Sequence, residues 1–246
     1  MATVARRAGA LSQGGAAAAV LTGAICAAAG WGWSFVLIAF FISATVLSFY
    51  RHSFKKEVVG EFIEKGGGRD AVQVAANGGI FTLLAAASLI RPSPMWIAAA
   101  AGAVGAVTAD TWATELGTLA SHFPKLITTG KEVPAGTSGA VTWRGSFAGL
   151  AGAATVGVIV LAVGWGSRAA LATIVGGVIG SLVDSIVGAT LQRHQWCERC
   201  GKATERLVHS CGTTTQPAGG LSWVNNDMVN ALSSLSGAVV GAILFS

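Results

Sequence analysis

Apolar runs of nearly membrane-spanning length dominate this chain and limit the folds open to it. Seven such runs cover residues 14–30, 31–50, 72–90, 95–119, 145–165, 169–192 and 221–245. A membrane-spanning helix needs about 20 apolar residues. Only 11% of the 246 residues are charged, against about 25% in soluble domains. The sequence therefore predicts an all-α, polytopic membrane helical bundle with about seven transmembrane helices, folded as a single membrane domain over residues 1–246.

Basic residues indicate how this bundle sits in the lipid bilayer, because Lys and Arg concentrate in the cytoplasmic segments of membrane proteins. With a cytoplasmic N-terminus, only Arg91 and Arg168 of the 16 basic residues fall in the outer turns. The segments 51–71, 120–144 and 193–220 are then cytoplasmic loops. This asymmetry accounts for most of the net charge of +5, so nucleic acid is not expected as a partner. We expect an integral protein of a bacterial or cyanobacterial inner membrane, or of a chloroplast membrane in a plant.

Three aspartates, Asp110, Asp184 and Asp227, lie at the predicted cytoplasmic ends of apolar runs. Asp184 shares a helix face with Gly180 and Gly188, and small residues allow a second helix to approach closely. Carboxylates at membrane depth mark ion or substrate sites, and Mg²⁺ binds carboxylate oxygens together with substrate phosphates. We predict that the three acids converge on Mg²⁺ at a catalytic centre. The alternatives are separate interfacial acids, each satisfied by a helix end or an Arg, and proton or cation transport.

A glycine-rich loop near these acids is a candidate for binding phosphate. Gly136, Thr137 and Ser138 offer backbone N–H groups and hydroxyls that suit an anion. Lys131 and Arg144 flank the loop and could add charge-assisted contacts. The residue order of a Walker loop is absent, and an ordinary surface loop is the alternative.

Four further polar residues extend the candidate phosphate and substrate site. Arg69 and Asn77 lead into the third apolar run, and Asn226 and Asn230 flank Asp227 in the seventh. Asn77 lies in an apolar context and needs partners, so it orients a ligand, or it caps or bridges helices. Arg69 binds phosphate or anchors the membrane interface. Asn230 lines a cavity with Asp227 or hydrogen-bonds to a neighbouring helix.

The 193–220 loop contains Cys197, Cys200, His209 and Cys211. Three thiols and an imidazole supply the four ligands of a structural Zn²⁺ site, which would staple the loop over the acids. A cytoplasmic position argues against a structural disulfide. Free thiols or a redox pair remain the alternatives to zinc.

Five motifs carry a resemblance to a known family. They occupy residues 73–78 (QVAANG), 110–117 (DTWATELG), 134–139 (PAGTSG), 180–185 (GSLVDS) and 226–230 (NDMVN). In this order, over nearly the whole chain, they resemble the transmembrane protein nineteen family, which includes the phytyl-phosphate kinase of tocopherol biosynthesis. A weaker similarity, through Asp110, Lys131, Gly136, Thr137 and Gly145, links the chain to CTP-using membrane enzymes such as CDP-diglyceride synthases and polyprenol kinases.

The resemblance implies a Mg²⁺-dependent phosphotransferase. It would move a phosphoryl group from a nucleoside triphosphate, CTP or a similar donor, to phytyl phosphate or another isoprenyl monophosphate, and the product would be the diphosphate. The three aspartates would bind magnesium, and the prenyl tail would lie between glycine-rich helices. The candidate substrate-binding residues are Arg69, Asn77, Lys131, Gly136, Thr137, Ser138, Arg144, Asn226 and Asn230. Two other functions remain open: a transporter or carrier of a lipid phosphate, and a non-catalytic membrane scaffold.

Overall fold

Helices make up most of the chain in the computed structural model, which describes residues 2–60, 62 and 67–245. Nine helices and five short strands are formed within these residues. The helices are α1 (Ala2–Arg7), α2 (Gln13–Ala29), α3 (Trp31–Phe49), α4 (His52–Val59), α5 (Ala71–Ile90), α6 (Pro94–Gly117), α7 (Trp143–Ala162), α8 (Ser167–Thr190) and α9 (Asn226–Phe245). The strands are β1 (Lys125–Leu126), β2 (Ala140–Val141), β3 (His194–Cys197), β4 (Lys202–Thr204) and β5 (Gln216–Gly219).

The predicted all-α membrane bundle is confirmed. Each of the seven apolar runs contains one helix, and these helices are α2, α3, α5, α6, α7, α8 and α9. Among the described residues, α3, α5, α7, α8 and α9 are long and apolar enough to cross a membrane. Helix α2 is shorter, at 17 residues, and α6 is largely enclosed by protein. The count of seven spans and the cytoplasmic N-terminus stay predictions.

The predicted cytoplasmic loops contain helices and strands as well as irregular segments. Residues 51–71 include α4, although positions 61 and 63–66 lie outside the described residues. In the 120–144 segment β1 pairs antiparallel with β2. The 193–220 segment forms a three-stranded antiparallel sheet in the order β4-β3-β5.

Helix α6 is the centre of the bundle. Its residues from Ala98 to Ala109 are all buried, and it contacts α3, α5, α7, α8 and α9. Most of these residues are Ala or Gly, which leave room for neighbouring backbones on every side. A helix that is surrounded in this way can hold its polar C-terminal end at a fixed position relative to several other helices.

Glycines set the spacing between α6, α8 and α9. A Cβ atom built on Gly102 would lie 2.1 Å from the carbonyl oxygen of Gly237 in α9, and one on Gly105 would lie 2.2 Å from that of Thr173 in α8. A Cβ atom built on Gly180 of α8 would lie 2.3 Å from the Cβ of Ala106 in α6. These helices therefore touch with no side chain larger than a methyl group between them at these positions. Because the three helices carry Asp110, Asp184 and Asp227, this contact fixes the separation of the acids.

Candidate active site

Asp110, Asp184 and Asp227 line one cavity of about 500 Å³. Asp110 lies near the C-terminal end of α6, Asp184 lies near that of α8, and Asp227 lies in the first turn of α9. The start of α9 is held by the side-chain oxygen of Asn225, which accepts a hydrogen bond from the backbone N–H of Met228 at 3.0 Å. The structure thus brings the three predicted acids together at one end of the bundle.

The charges in this cavity are unbalanced. The side chains of Asp110 and Asp184 interact directly with each other. The Oδ2 atom of Asp184 is buried and has no hydrogen-bond partner within the described residues. No Lys or Arg lines the cavity in the described part of the chain. Buried carboxylates are expected to be paired, to bind a metal or to be neutralised by a proton, so the cavity wall suits a cation.

Glu205 is a fourth acid of the same cavity, and the sequence did not reveal it. It is 8% exposed and lies directly after β4. Its Oε1 atom accepts hydrogen bonds from the Ser138 hydroxyl and from Gln192 Nε2 at 2.8 Å, and its charge acts on Asp184. An acid in a polar loop carries no sequence signal of burial, because the loop's fold alone turns it toward the cavity.

The glycine-rich loop forms another part of this cavity wall, through Gly136, Thr137 and Ser138. Gly136 and Gly139 have φ angles of 90° and 75°, values that favour glycine. The Thr137 hydroxyl donates a hydrogen bond to the carbonyl oxygen of Pro134 at 2.8 Å, which closes the turn. Gly139 packs tightly on α8, since a Cβ there would lie 2.4 Å from the carbonyl oxygen of Ser185. The loop is therefore fixed beside Asp184.

The two basic residues that flank this loop lie elsewhere. Lys131 and Arg144 are exposed and line neither of the two cavities described here. Arg144 Nη1 donates to the carbonyl oxygen of Leu119 at 3.0 Å, just beyond the end of α6. Neither residue is part of these cavity walls, and their contacts with phosphate stay predictions.

A second cavity, of about 570 Å³, adjoins the first. Arg69, Asn77 and Asn230 line it, and five residues line both cavities: Gln73, Asp110, Thr114, Asp184 and Asn226. Helices α2 and α3 supply a mostly apolar wall, formed by Ala19, Thr22, Gly23, Leu37, Ile38, Phe40, Phe41, Ala44, Thr45, Ser48 and Phe49. The second cavity therefore combines an apolar wall between helices with a polar end at the acids.

Arg69 provides the positive charge at this polar end. Its guanidinium donates to Thr45 Oγ1 at 3.1 Å and to Ser48 Oγ at 3.3 Å, and it lies 5.9 Å from the ring centroid of Phe41. Burial lowers the pKa of Arg69 and the charge of Glu115 opposes this change, but a guanidinium stays protonated in proteins. Neutral hydroxyls orient this cation, so its charge is available to an anion in the cavity.

Glu115, Lys55 and Asn77 already have partners in the protein. Lys55 Nζ lies 2.5 Å from Glu115 Oε2, and the Ser48 hydroxyl donates to Glu115 Oε1 at 2.5 Å. The ion pair between α4 and α6 was not predicted, and it accounts for Glu115 without a role in the site. Asn77 donates a hydrogen bond to the carbonyl oxygen of Gln73 at 2.9 Å.

The predicted cluster of three cysteines and one histidine is assembled in the structure. The ligand atoms of Cys197, Cys200, His209 and Cys211 all lie within 4.8 Å of one another. Hydrogen bonds with Thr213 and His209 lower the pKa of the Cys211 thiol to about 5, whereas the hydrogen bond with Cys211 raises the pKa of Cys200 to about 11. Cysteine binds metal as the thiolate, which Cys211 forms most readily, and the convergence of the four ligand atoms suits the cluster to a metal ion.

Comparisons with known proteins agree with the membrane fold. Residues 1–238 match the model of a family described as integral membrane protein DUF92. Protein PGR of Arabidopsis thaliana is 32% identical over 251 residues, which cover 92% of this chain and 85% of that protein. An uncharacterized membrane protein of Methanocaldococcus jannaschii is 28% identical over 217 residues, or 88% of this chain and 77% of the relative.

A third relative, an uncharacterized membrane protein of Synechocystis, is 28% identical over 221 residues, or 88% of this chain and 75% of the relative. No solved structure matches the chain significantly. The similarity extends over most of the length of these relatives, and the family match over residues 1–238 includes Asp110, Asp184 and Asp227.

Proposed function

We propose that this chain, which belongs to the integral membrane protein DUF92 family, is a phosphotransferase that converts an isoprenyl monophosphate to the diphosphate. The main support is the wall common to the two cavities, since Asp110 and Asp184 line both of them. Phosphoryl transfer requires two phosphate groups to meet at one charged centre. Two cavities that meet at paired acids provide that arrangement.

The chemistry of the two walls supports a different substrate for each cavity. The second cavity, with its apolar helix wall and Arg69, suits a prenyl chain with a phosphate head. The first cavity, with the loop of Gly136, Thr137 and Ser138, suits the polar phosphates of a nucleoside triphosphate such as CTP. The reacting phosphates would then meet beside Gln73, Asp110 and Asp184.

The acids in and beside the common wall fit Mg²⁺. Asp184 Oδ2 is a buried carboxylate oxygen without a partner in the described chain, and oxygen donors are the ligands that Mg²⁺ requires. Asp110, Asp184 and Asp227 would hold the ion, and Glu205 adds negative charge beside them. When bound, the ion neutralises the charge that develops on the donor phosphates.

In the proposed reaction, an anionic oxygen of the prenyl phosphate forms a new bond to the γ-phosphorus of the nucleotide. The bond between that phosphorus and the β,γ-bridging oxygen breaks, and the nucleoside diphosphate leaves. The attacking oxygen already carries its charge, so no general base is needed. Arg69 would orient the acceptor phosphate, while Asn226, which lines both cavities, would orient oxygens of the reacting groups.

The purified protein tests this proposal directly. Incubation with phytyl phosphate, Mg²⁺ and CTP should yield phytyl diphosphate and CDP in equal amounts, detected by mass spectrometry, and parallel reactions with ATP, GTP and UTP identify the donor. Farnesyl and geranylgeranyl phosphate test chain length. Absence of diphosphate with every prenyl monophosphate and every nucleotide would refute the kinase. Flux of lipid phosphate into liposomes without nucleotide would instead identify a carrier.

Replacement of Arg69 by methionine should raise the KM for the prenyl phosphate by about tenfold to a hundredfold, since a charge-assisted contact contributes about 1.5–3 kcal/mol. The KM for the nucleotide should change little, because Arg69 lines only the second cavity. Arg168→Met is the matched control, as Arg168 is exposed and lies at the start of α8, away from both cavities. An equal change of KM for both substrates would contradict the assignment of the cavities.

A further inference from the structure

Two turns bring the cysteine and histidine side chains together. Cys197 is the last residue of β3, and Cys200 lies in the turn between β3 and β4, which ends at Gly201 with a φ of 60°. His209 and Cys211 belong to a second turn, which ends at Gly212 with a φ of 82°. The N–H of each glycine donates a hydrogen bond back across its own turn, to the carbonyl oxygen of Cys197 at 2.8 Å and to that of His209 at 2.9 Å. Each turn therefore presents its pair of ligands from a fixed backbone.

The distances between these side chains match a metal rather than a covalent bond. A tetrahedral zinc ion with Zn–S bonds of about 2.3 Å separates two sulfur atoms by about 3.8 Å, and Cys197 Sγ lies 3.7 Å from Cys211 Sγ. A disulfide would need about 2.05 Å. His209 Nδ1 lies 3.3 Å from Cys211 Sγ, and its Nε2 atom is buried without a partner in the described chain. The imidazole is thus enclosed in the cluster without full hydrogen bonding.

The sheet around the cluster buries few apolar side chains, since the buried residues of β3 are Gln195 and Cys197. The residues of β5 are all exposed, and only Thr204 is buried in β4. Small units that cannot bury an adequate apolar core generally depend on a metal or disulfide. A structural zinc ion typically has four protein ligands and no open coordination position. These properties favour a structural role for the metal over a catalytic one.

The same sheet delivers Glu205 to the acid cavity. Glu205 follows β4 directly, and its backbone N–H donates to the carbonyl oxygen of Phe62 at 3.0 Å. The guanidinium of the next residue, Arg206, donates to the carbonyl oxygen of Gly60 at 2.8 Å. The Glu205 side chain meets Ser138 and Gln192. The cluster is therefore connected through one short strand to the loop and the helix end that line the cavity.

We propose that Cys197, Cys200, His209 and Cys211 bind a structural Zn²⁺ ion, and that this ion holds β4 so that Glu205 and the 134–139 loop stay in the wall of the acid cavity. This inference does not depend on the kinase reaction, because it concerns metal content and loop order. A failure to detect phosphoryl transfer would leave it unaffected.

Metal analysis of the purified full-length protein tests the site. We expect about one zinc per chain after dialysis against a weak chelator, as four-ligand structural sites retain their metal. Cys200→Ser and His209→Ala should lose most of it. His209→Cys should keep it, because four thiolates also form a structural site. Cys26→Ser is the control, as Cys26 is buried in α2. Cobalt substitution of the wild type should give the strong visible absorption of tetrahedral thiolate coordination.

Amide hydrogen exchange tests the consequence for the cavity wall. Removal of zinc from the wild type with a strong chelator should speed exchange in residues 194–219 and also in residues 134–139, while α6 stays protected. Wild-type protein without zinc, equal zinc in the wild type and His209→Ala, or a Cys197–Cys211 disulfide in the purified protein would overturn the metal site. Faster exchange confined to 194–219 would overturn the link to the cavity wall. Cobalt substitution and amide hydrogen exchange are measured on the wild-type protein, so they still test the proposal if Cys200→Ser fails to fold.

Discussion

Asp184→Asn should lower the rate of phosphoryl transfer by about 10³-fold, equivalent to about 4 kcal/mol of transition-state stabilisation. Asp184 lines both cavities, interacts directly with Asp110 and carries a buried oxygen without a partner in the described chain. Asparagine keeps the shape of the side chain but removes the charge that would hold Mg²⁺. Steady-state kinetics with saturating prenyl phosphate, nucleotide and Mg²⁺ measure the loss.

In the absence of Mg²⁺, the same substitution should leave the fold intact and raise the midpoint of thermal unfolding. Asp184 lies beside Asp110 and Glu205, and like charges at close range destabilise the folded state. Activity and stability would then change in opposite directions, as expected where a charged site is maintained for function. Glu132→Gln is the control, because Glu132 is exposed and lines neither cavity. Activity within a few-fold of the wild type in Asp184→Asn would eliminate the proposed catalytic role of the acids.

Gly105→Ala should destabilise the bundle by about 3 kcal/mol, at the upper end of the usual cost of overpacking. The added methyl group would lie 2.2 Å from the carbonyl oxygen of Thr173, so α6 and α8 would have to separate. Separation of these helices would also move Asp110 away from Asp184, and activity should fall with stability. Thermal unfolding of the detergent-solubilised protein, monitored by circular dichroism, gives the change.

Gly79→Ala is the matched control for this effect. It adds the same methyl group inside helix α5, where, among the described residues, no atom beyond the adjacent residues and the helix's own backbone lies within 4 Å of the new position. Alanine favours a helix over glycine by about 0.8–1 kcal/mol, so Gly79→Ala should be neutral or stabilising. Equal effects of the two substitutions would mean that close contact between backbones does not determine the position of the acids.

The sequence predicted the helices and the meeting of the acids because both follow from local patterns. Apolar runs of spanning length predict helices. The distribution of basic residues orients these helices in the membrane, and this orientation predicts Asp110, Asp184 and Asp227 at the same end of the bundle. The family resemblance drawn from the five motifs is confirmed by the match over residues 1–238. The magnesium and nucleotide assignments stay predictions.

The polar segments were harder to predict because their paths depend on tertiary contacts. The pairing of β1 with β2 involves only two residues in each strand, too short a pattern to recognise, and Lys131 and Arg144 lie outside the cavities that this segment borders. Glu205 is directed inward by a sheet whose turns are closed by Gly201 and Gly212. The spacing of residues along the chain therefore predicts neither the outward position of Lys131 and Arg144 nor the inward position of Glu205.

The wall shared by the two cavities has a consequence for how such an enzyme would be inhibited. A lipid and a nucleotide that approach the acids from different sides do not compete for space, so both would be held at once and could arrive in either order. A single molecule in which a short polyphosphate bridge joins a prenyl tail to a nucleoside would occupy both cavities at the same time. Its affinity would exceed that of either half alone, since tethering turns the second encounter into an intramolecular one.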